Sequence, residues 1–138
     1  SNHYTITIKT SSGSGVTMPV GSTMLVVVDG TNVIKGITER GYITTTSAYT
    51  AVKDDQVMVD TSAAAVTVTL PASPSVGDEV HFLDSKLSFG SNNLTIGRNS
   101  QKIMGNSSDL TVSTNGQNFT LVYANSTKGW IKKSFAGT

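Results

Sequence analysis

Val66-Thr67-Val68-Thr69-Leu70, which runs into Pro71, is the stretch that decides the fold class. An apolar side chain recurs at every second position, so an extended chain places the apolar groups on one face and the threonines on the other. Proline cannot donate a hydrogen bond to a neighbouring strand, and we expect the strand to end before Pro71. This stretch therefore predicts a half-buried β-strand.

Similar β-prone runs recur along the whole chain. They predict a short strand ending at Pro19 and further strands at Tyr4–Thr10, Met24–Asp29, Tyr49–Val52, Gln56–Asp60, Glu79–Leu83, Leu94–Ile96, Leu110–Ser113, Phe119–Tyr123 and Trp130–Ser134. In the second part of the chain the runs follow one another at about the 8–12-residue spacing that is typical of a β-sandwich. The one helical candidate, Ser85–Phe89, has room for a single turn. The chain is predicted to be all-β.

A boundary between two parts is expected within Gly36–Ser47, which carries little hydrophobic periodicity. We predict a small N-terminal β-strand and hairpin unit with its connector over residues 1–45. An antiparallel β-sandwich-like domain is predicted over residues 46–138. The run Thr44-Thr45-Thr46-Ser47 fits either an extended connector or an edge strand, and both interpretations stay open.

Two turn signals have well-defined chemistry. Asp29-Gly30-Thr31-Asn32 lies between two apolar runs and predicts a tight turn that joins two strands. Asn115-Gly116 predicts a two-residue type I′ hairpin between Leu110–Ser113 and Phe119–Tyr123, because both turn residues tolerate positive φ.

The composition excludes several classes of function. Only 14% of the 138 residues are charged and the formal net charge is +1, so we expect no nucleic-acid partner. The chain has no cysteine, which excludes disulfides and cysteine-ligated zinc. No apolar stretch approaches the roughly 20 residues that span a bilayer, and we expect no membrane insertion. No motif predicts a cofactor or a metal site.

The titratable residues do not form a catalytic motif. His3 and His81 are far apart in sequence, and neither has a carboxylate at ligand spacing. Asp54-Asp55 and Asp78-Glu79 are paired acids, but adjacent side chains of an extended chain point to opposite sides, so neither doublet by itself forms a two-carboxylate site. Turn chemistry accounts for both doublets. The sequence predicts that the protein is not an enzyme.

The single tryptophan is the candidate for a binding residue. Trp130 follows Gly129 and opens the last predicted strand. A lone tryptophan is more often a core residue, whereas an exposed one can stack on a sugar ring. If a glycan site exists, the sequence predicts it at Trp130 with Asn125 and Lys128, which share one turn region.

The chain resembles bacteriophage structural proteins in both parts. The first part resembles a segment of phage and prophage tail proteins in Thr5-Ile6-Thr7-Ile8-Lys9-Thr10, Gly15-Val16-Thr17-Met18-Pro19 and Met24-Leu25-Val26-Val27-Val28-Asp29-Gly30-Thr31-Asn32-Val33. The second part is similar to a module of tail-fibre and other virion proteins in Tyr49-Thr50-Ala51, Val57-Met58-Val59-Asp60-Thr61, Val66-Thr67-Val68-Thr69-Leu70-Pro71, Val76-Gly77-Asp78, Leu94-Thr95-Ile96, Lys102-Ile103 and Gly129-Trp130.

The resemblance implies a homotrimer, fibrous or knob-like, in which three chains share a core. It also implies a location in the virion, in a tail fibre or receptor-binding appendage, with other virion proteins and bacterial surface polysaccharide as partners. A trimer would explain the stability of the small first part, since an isolated small sheet is marginal. Tailspikes that cut polysaccharide carry clustered acids on a β-helix, and the sequence shows neither clustered acids nor a helical repeat period.

Two other functions stay open. A monomeric carbohydrate-binding module would require an exposed aromatic platform. A polysaccharide-degrading tailspike fragment would require a cleft with two carboxylates at a suitable separation.

Overall fold

The computed structural model describes residues 6–13, 15–18, 22–28 and 31–133. The chain divides into two compact units, Ser1–Gly41 and Tyr42–Thr138. Every regular element among the described residues is a β-strand, so the prediction of an all-β chain is confirmed there. No helix long or apolar enough to cross a membrane occurs in this part of the chain.

The first unit contains two two-stranded antiparallel sheets. Their strands are β1 (Ile6–Ile8), β2 (Val16–Met18), β3 (Ser22–Val28) and β4 (Val33–Arg40). β1 pairs with β2, and β3 pairs with β4 through a register that shifts between Met24 and Val26. Asp29 and Gly30, which the sequence predicts in the turn between β3 and β4, lie outside the described residues.

The second unit contains two larger sheets. Its strands are β5 (Tyr42–Thr45), β6 (Tyr49–Thr50), β7 (Asp55–Val59), β8 (Val66–Thr69), β9 (Glu79–Asp84), β10 (Leu94–Gly97), β11 (Leu110–Val112), β12 (Asn118–Asn125) and β13 (Gly129–Lys133). The five-stranded sheet has the order β13-β12-β9-β7-β5, and the four-stranded sheet has the order β11-β10-β8-β6. β5, which includes Thr44 and Thr45, is therefore an edge strand.

The prediction of antiparallel sheets is wrong for four of the seven strand pairs in the second unit. The pairs β5–β7, β7–β9, β6–β8 and β8–β10 are parallel, and only β9–β12, β12–β13 and β10–β11 are antiparallel. From β5 to β10 successive strands alternate between the two sheets. Each connection thus runs through a strand of the opposite sheet, which supplies the crossover that parallel strands require. The chain winds between the sheets and lays each strand beside the one two before it.

The winding is irregular in length. β5 and β7 start 13 residues apart, from residue 42 to residue 55, whereas β7 and β9 start 24 residues apart, from residue 55 to residue 79. Unequal loops account for the difference, and no fixed period marks the winding in the sequence.

The core of the second unit lies between its two sheets. Alternate side chains of the central strands point inward, as in β7, where Val57 and Val59 have no exposed surface. Phe82 and Phe119 stack at 5.3 Å between ring centroids, and Tyr123 meets Trp130 edge-on at 5.6 Å. Aromatic pairs at such distances add about 0.5–1.5 kcal/mol to the free energy of burial. The remaining core side chains are mainly valine, leucine and isoleucine from both sheets.

The Asn115-Gly116 hairpin prediction is wrong. β11 belongs to the four-stranded sheet and β12 to the five-stranded sheet, so the segment between them crosses from one sheet to the other. Gly116 does adopt a positive φ of 74°. The crossing is held by its own polar contacts, because Asn115 Oδ1 accepts a 2.6 Å hydrogen bond from the backbone N–H of Gly90. The turn chemistry was predictable, but the partner strand was not.

Candidate functional site

A cavity of about 280 Å³ opens on the outer face of the five-stranded sheet. Six residues of β7, β9, β12 and the turn before β7 line it, namely Asp54, Asp55, Gln56, Glu79, His81 and Thr120. The outer face is the side of the sheet that points away from the core, and the alternation of exposure along β7 and β9 defines it. All six lining side chains are polar.

One line of paired residues crosses all five strands of this face. Tyr42 is paired with Gln56, Gln56 with His81, His81 with Thr120, and Thr120 with Lys133. We call these five residues the cross-strand row. Directly opposed side chains in a sheet lie about 4.5–5.5 Å apart at their Cβ atoms, so the row forms a continuous strip of neighbouring groups.

His81 lies at the centre of the cross-strand row. Its Nδ1 lies 2.9 Å from Oγ1 of Thr120, and its ring meets the ring of Tyr42 edge-on at 6.4 Å between centroids. Partial burial lowers the pKa of His81, because desolvation disfavours the charged imidazolium. The neutral ring is thus favoured, and it can both donate and accept a hydrogen bond.

Two acidic residues, Asp54 and Glu79, line the cavity beside the row. Asp54 and Glu79 come from different strand starts, and a 2.7 Å hydrogen bond from Asp54 N–H to the carbonyl oxygen of Glu79 joins their backbones. Glu79 also forms a salt bridge of 2.8 Å with Lys133. Both members of this salt bridge are partly exposed, and such a pair contributes about 1 kcal/mol or less to stability.

The carboxylate of Asp55 serves the structure rather than the cavity. Asp55 is only 1% exposed, and its Oδ2 accepts 2.8 Å hydrogen bonds from the Tyr49 hydroxyl and from the backbone N–H of Val52. The Asp54-Asp55 doublet spans the end of a turn, because Asp54 is exposed there with a φ of 64° while Asp55 is buried at the start of β7.

Tyr42 provides an aromatic surface at the end of the cross-strand row. Its side chain is 55% exposed, and no Phe, Trp or other Tyr among the described residues is among the exposed large apolar side chains. A tyrosine ring combines an apolar face with a polar hydroxyl, which suits it to contact a ligand that is partly apolar and partly hydroxylated.

The residues predicted from sequence for a glycan site are not brought together as a platform. Trp130 is 0% exposed and packs in the core against Tyr123, so its ring has no open face for stacking. Asn125 and Lys128 are exposed in the β12–β13 turn, where Asn125 Oδ1 accepts the backbone N–H of Lys128 at 2.8 Å. Asn125 therefore has a local structural role in that turn.

Within the described ranges, no group of three or more His, Asp and Glu side chains has a geometry that could hold a metal ion. The lining of the cavity offers hydrogen-bonding groups, among them the carboxylates of Asp54, Asp55 and Glu79.

A second concavity of about 230 Å³ lies beside the edge strands β11 and β13, and its lining includes Met104, Leu110, Val112 and Phe119. Lys132 Nζ stands 5.0 Å from the centroid of the Phe119 ring, within cation–π range. This concavity is more apolar than the cavity on the outer face, although Thr111, Ser113, Thr114, Gln117 and Lys132 also line it.

The sequence matches no protein-family model, and it has no significant match among curated proteins. The function is therefore inferred from the residues of the chain and their geometry.

Sequence reasoning did not find the cavity because its residues come from distant segments. Asp54 and Glu79 each stood out as half of an acidic doublet, yet the doublets meet only because β7 and β9 are parallel neighbours. The sequence does contain one indication of the cavity, which is that each acidic doublet lies at the start of a strand. Two strands that start at the same end of a sheet bring such residues together.

Proposed function

We propose that this chain is a non-enzymatic structural module of a bacteriophage virion, part of a tail fibre or receptor-binding appendage that assembles as a homotrimer. Its second unit is sandwich-like and carries the surface that attaches to the host. The resemblance of both parts to phage structural proteins supports this proposal, as does an all-β chain whose polarity comes mainly from uncharged residues.

The small size of the first unit is the main observation that supports a homotrimer. It consists of two two-stranded sheets, and a two-stranded sheet is marginally stable by itself in water. Among the side chains described in this unit, Val33 is buried while Val28, its partner across the strands, is 55% exposed. A unit of about 40 residues without disulfides or metals usually needs a partner chain. Association of three such units would supply the missing apolar contacts.

The winding of the second unit also fits an appendage. Its strands stack in one direction from β5 to β13, and such stacking leaves edge strands at both ends of each sheet. Unpaired edges offer hydrogen-bonding groups to a neighbouring chain, so this arrangement suits a module built into an extended assembly.

A monomeric carbohydrate-binding module is the second candidate, and the cavity beside Tyr42 favours it. A polysaccharide-degrading tailspike fragment is the third, because Asp54 and Glu79 line one cavity. Oligomeric state distinguishes the monomeric carbohydrate-binding module from the leading proposal. Release of reducing sugar ends distinguishes the polysaccharide-degrading fragment from it.

A substitution at Val28 tests the proposed assembly. We expect Val28→Asp to shift the 138-residue chain from trimer toward monomer in light scattering, because it replaces an exposed apolar side chain of the first unit by a charge. Thr17→Asp, at another exposed position of this unit, is the matched control and should keep the trimer. A wild-type monomer, or reducing-end release from bacterial polysaccharide, would overturn the proposal.

A further inference from the structure

The cavity on the outer face combines groups that no single segment of the chain contains. Gln56, His81 and Thr120 offer an amide, an imidazole and a hydroxyl along the cross-strand row, and Asp54 and Glu79 add carboxylates beside it. Together these groups include both donors and acceptors. A sugar hydroxyl both donates and accepts, so a ligand with several hydroxyls can satisfy a surface of this kind.

The size of the cavity limits the ligand. A volume of about 280 Å³ lies just below the range of about 300–1,000 Å³ typical of pockets for drug-sized ligands. It suits a single sugar ring of a chain whose neighbouring units stay outside. The exposed ring of Tyr42 lies edge-on to His81, which lines the cavity, although Tyr42 itself is not a lining residue. It offers an apolar surface for the carbon–hydrogen face of a sugar.

The charge of the cavity limits the ligand further. The cavity is lined by three carboxylates, those of Asp54, Asp55 and Glu79, and Glu79 forms a salt bridge of 2.8 Å with Lys133. His81 is held toward its neutral form by partial burial. An acidic sugar would therefore meet unfavourable charge, whereas a neutral sugar would not.

We propose that the cavity and the Tyr42 ring bind a neutral sugar unit of a polysaccharide. This inference rests on the proposed attachment function and names its site and ligand class. Tyr42 packs on the face of the sugar, Gln56 and Thr120 bond its hydroxyls, and the carboxylates of Asp54 and Glu79 accept hydrogen bonds from the remaining hydroxyls.

The test uses the 138-residue chain with immobilised mannan and dextran as neutral polymers and alginate as an acidic polymer. We expect the wild type to bind at least one neutral polymer. Its affinity for alginate should be lower than that by about tenfold or by a larger factor. Tyr42→Ala and Gln56→Ala should each weaken neutral binding by about tenfold, as expected when an aromatic contact or a ligand hydrogen bond is lost. Thr67→Ala, on the outer face of the four-stranded sheet, is the matched control and should bind as the wild type does.

A charge variant keeps the test sharp. Asp54 has a φ of 64°, and asparagine is tolerated in that region, so Asp54→Asn should fold. The loss of the negative charge should reduce the difference in affinity between the neutral polymers and alginate. The site is overturned if the wild type prefers alginate, if it binds neither neutral polymer, or if both cavity variants bind as the wild type does. A trimer that binds no neutral polymer overturns this site alone, and a monomer whose binding requires Tyr42 overturns the trimer alone.

Discussion

The backbone N–H of Gly116 donates a 2.9 Å hydrogen bond to Oδ2 of Asp84, which is 32 residues earlier in the chain. Asp84 is 3% exposed, and its carboxylate also accepts the N–H groups of Ser88 at 3.0 Å and Phe89 at 3.2 Å. One carboxylate thus joins the end of β9, the loop after it and the segment that crosses to β12. At this end of the core, the buried carboxylate of Asp84 is surrounded by backbone N–H donors.

Replacement of Asp84 by asparagine should lower stability. Asp84→Asn removes the charge that these N–H groups bond, and a hydrogen bond to a charged group contributes about 1.5–3 kcal/mol. We expect a loss of that size in urea unfolding followed by Trp130 fluorescence. Asp60→Asn is the control, because the exposed-side hydrogen bonds of the Asp60 carboxylate go to its near neighbour Ser62, and its effect should be clearly smaller. Equal losses in the two variants would contradict this role of Asp84.

Acid should destabilise the protein through the same carboxylate. Burial raises the pKa of Asp84, but backbone hydrogen bonds from Ser88, Gly116, Phe89 and Lys86 outweigh burial, so the pKa lies below its usual value. The stabilisation is present above the unfolded-state pKa of about 3.9 and is lost as the pH falls through the lower folded-state pKa. Urea midpoints from pH 6 down to about pH 2 should fall more steeply in the wild type than in Asp84→Asn. Parallel profiles would contradict the prediction.

The protein should also lose stability between neutral and mildly acidic pH because of His81. Its folded-state pKa is lowered by partial burial, so the unfolded chain binds a proton first as the pH falls through about 6.5. The contribution of His81 is full above that pH and is lost below it. Other charged groups share the cavity with His81. The carboxylates of Asp54 and Glu79 line it, and Lys133 forms a salt bridge with Glu79. His81→Gln should flatten the dependence of the urea midpoint between about pH 7.5 and pH 5, and an unchanged slope would exclude His81 as its source.

Two glycines with positive φ should respond differently to alanine. Gly129 has a φ of 70°, and a Cβ there would overlap the carbonyl group of Lys102. Gly77 has a φ of 92°, but a Cβ there would meet no atom within 4 Å. A left-handed conformation alone costs about 1–2 kcal/mol for alanine, so Gly77→Ala should lose about that much and Gly129→Ala distinctly more. Thermal unfolding of both variants measures the difference, and similar losses would mean that the backbone at Lys102 moves freely.

Much of the strand content could be predicted from sequence. The alternation in Val66–Leu70 and in Phe119–Tyr123 reports which side chains face the core, because successive residues of a strand point to opposite sides. β8 and β12 occupy these places. β5 was harder to predict, since its threonine-rich sequence fits an edge strand and a connector equally well.

Sheet partners could not be predicted in the same way. Alternation of apolar residues with a period of two shows which face of a strand is buried. It does not show which strand lies beside it in the sheet. Asn115-Gly116 has the chemistry of a hairpin turn, yet the strands on either side enter different sheets. The cavity depends on partners, because Glu79, Gln56 and Thr120 meet only through the pairing of β7, β9 and β12. A site assembled across strands was therefore beyond the reach of the sequence pattern.

The solution mass of the 138-residue chain tests the central claim most directly. Light scattering over a range of protein concentrations should give a mass near three times the chain mass of 14.4 kDa, and that mass should hold on dilution, as expected when the small first unit is stable only in association. A mass of 14.4 kDa at every concentration would contradict the trimeric appendage and favour a monomeric carbohydrate-binding module.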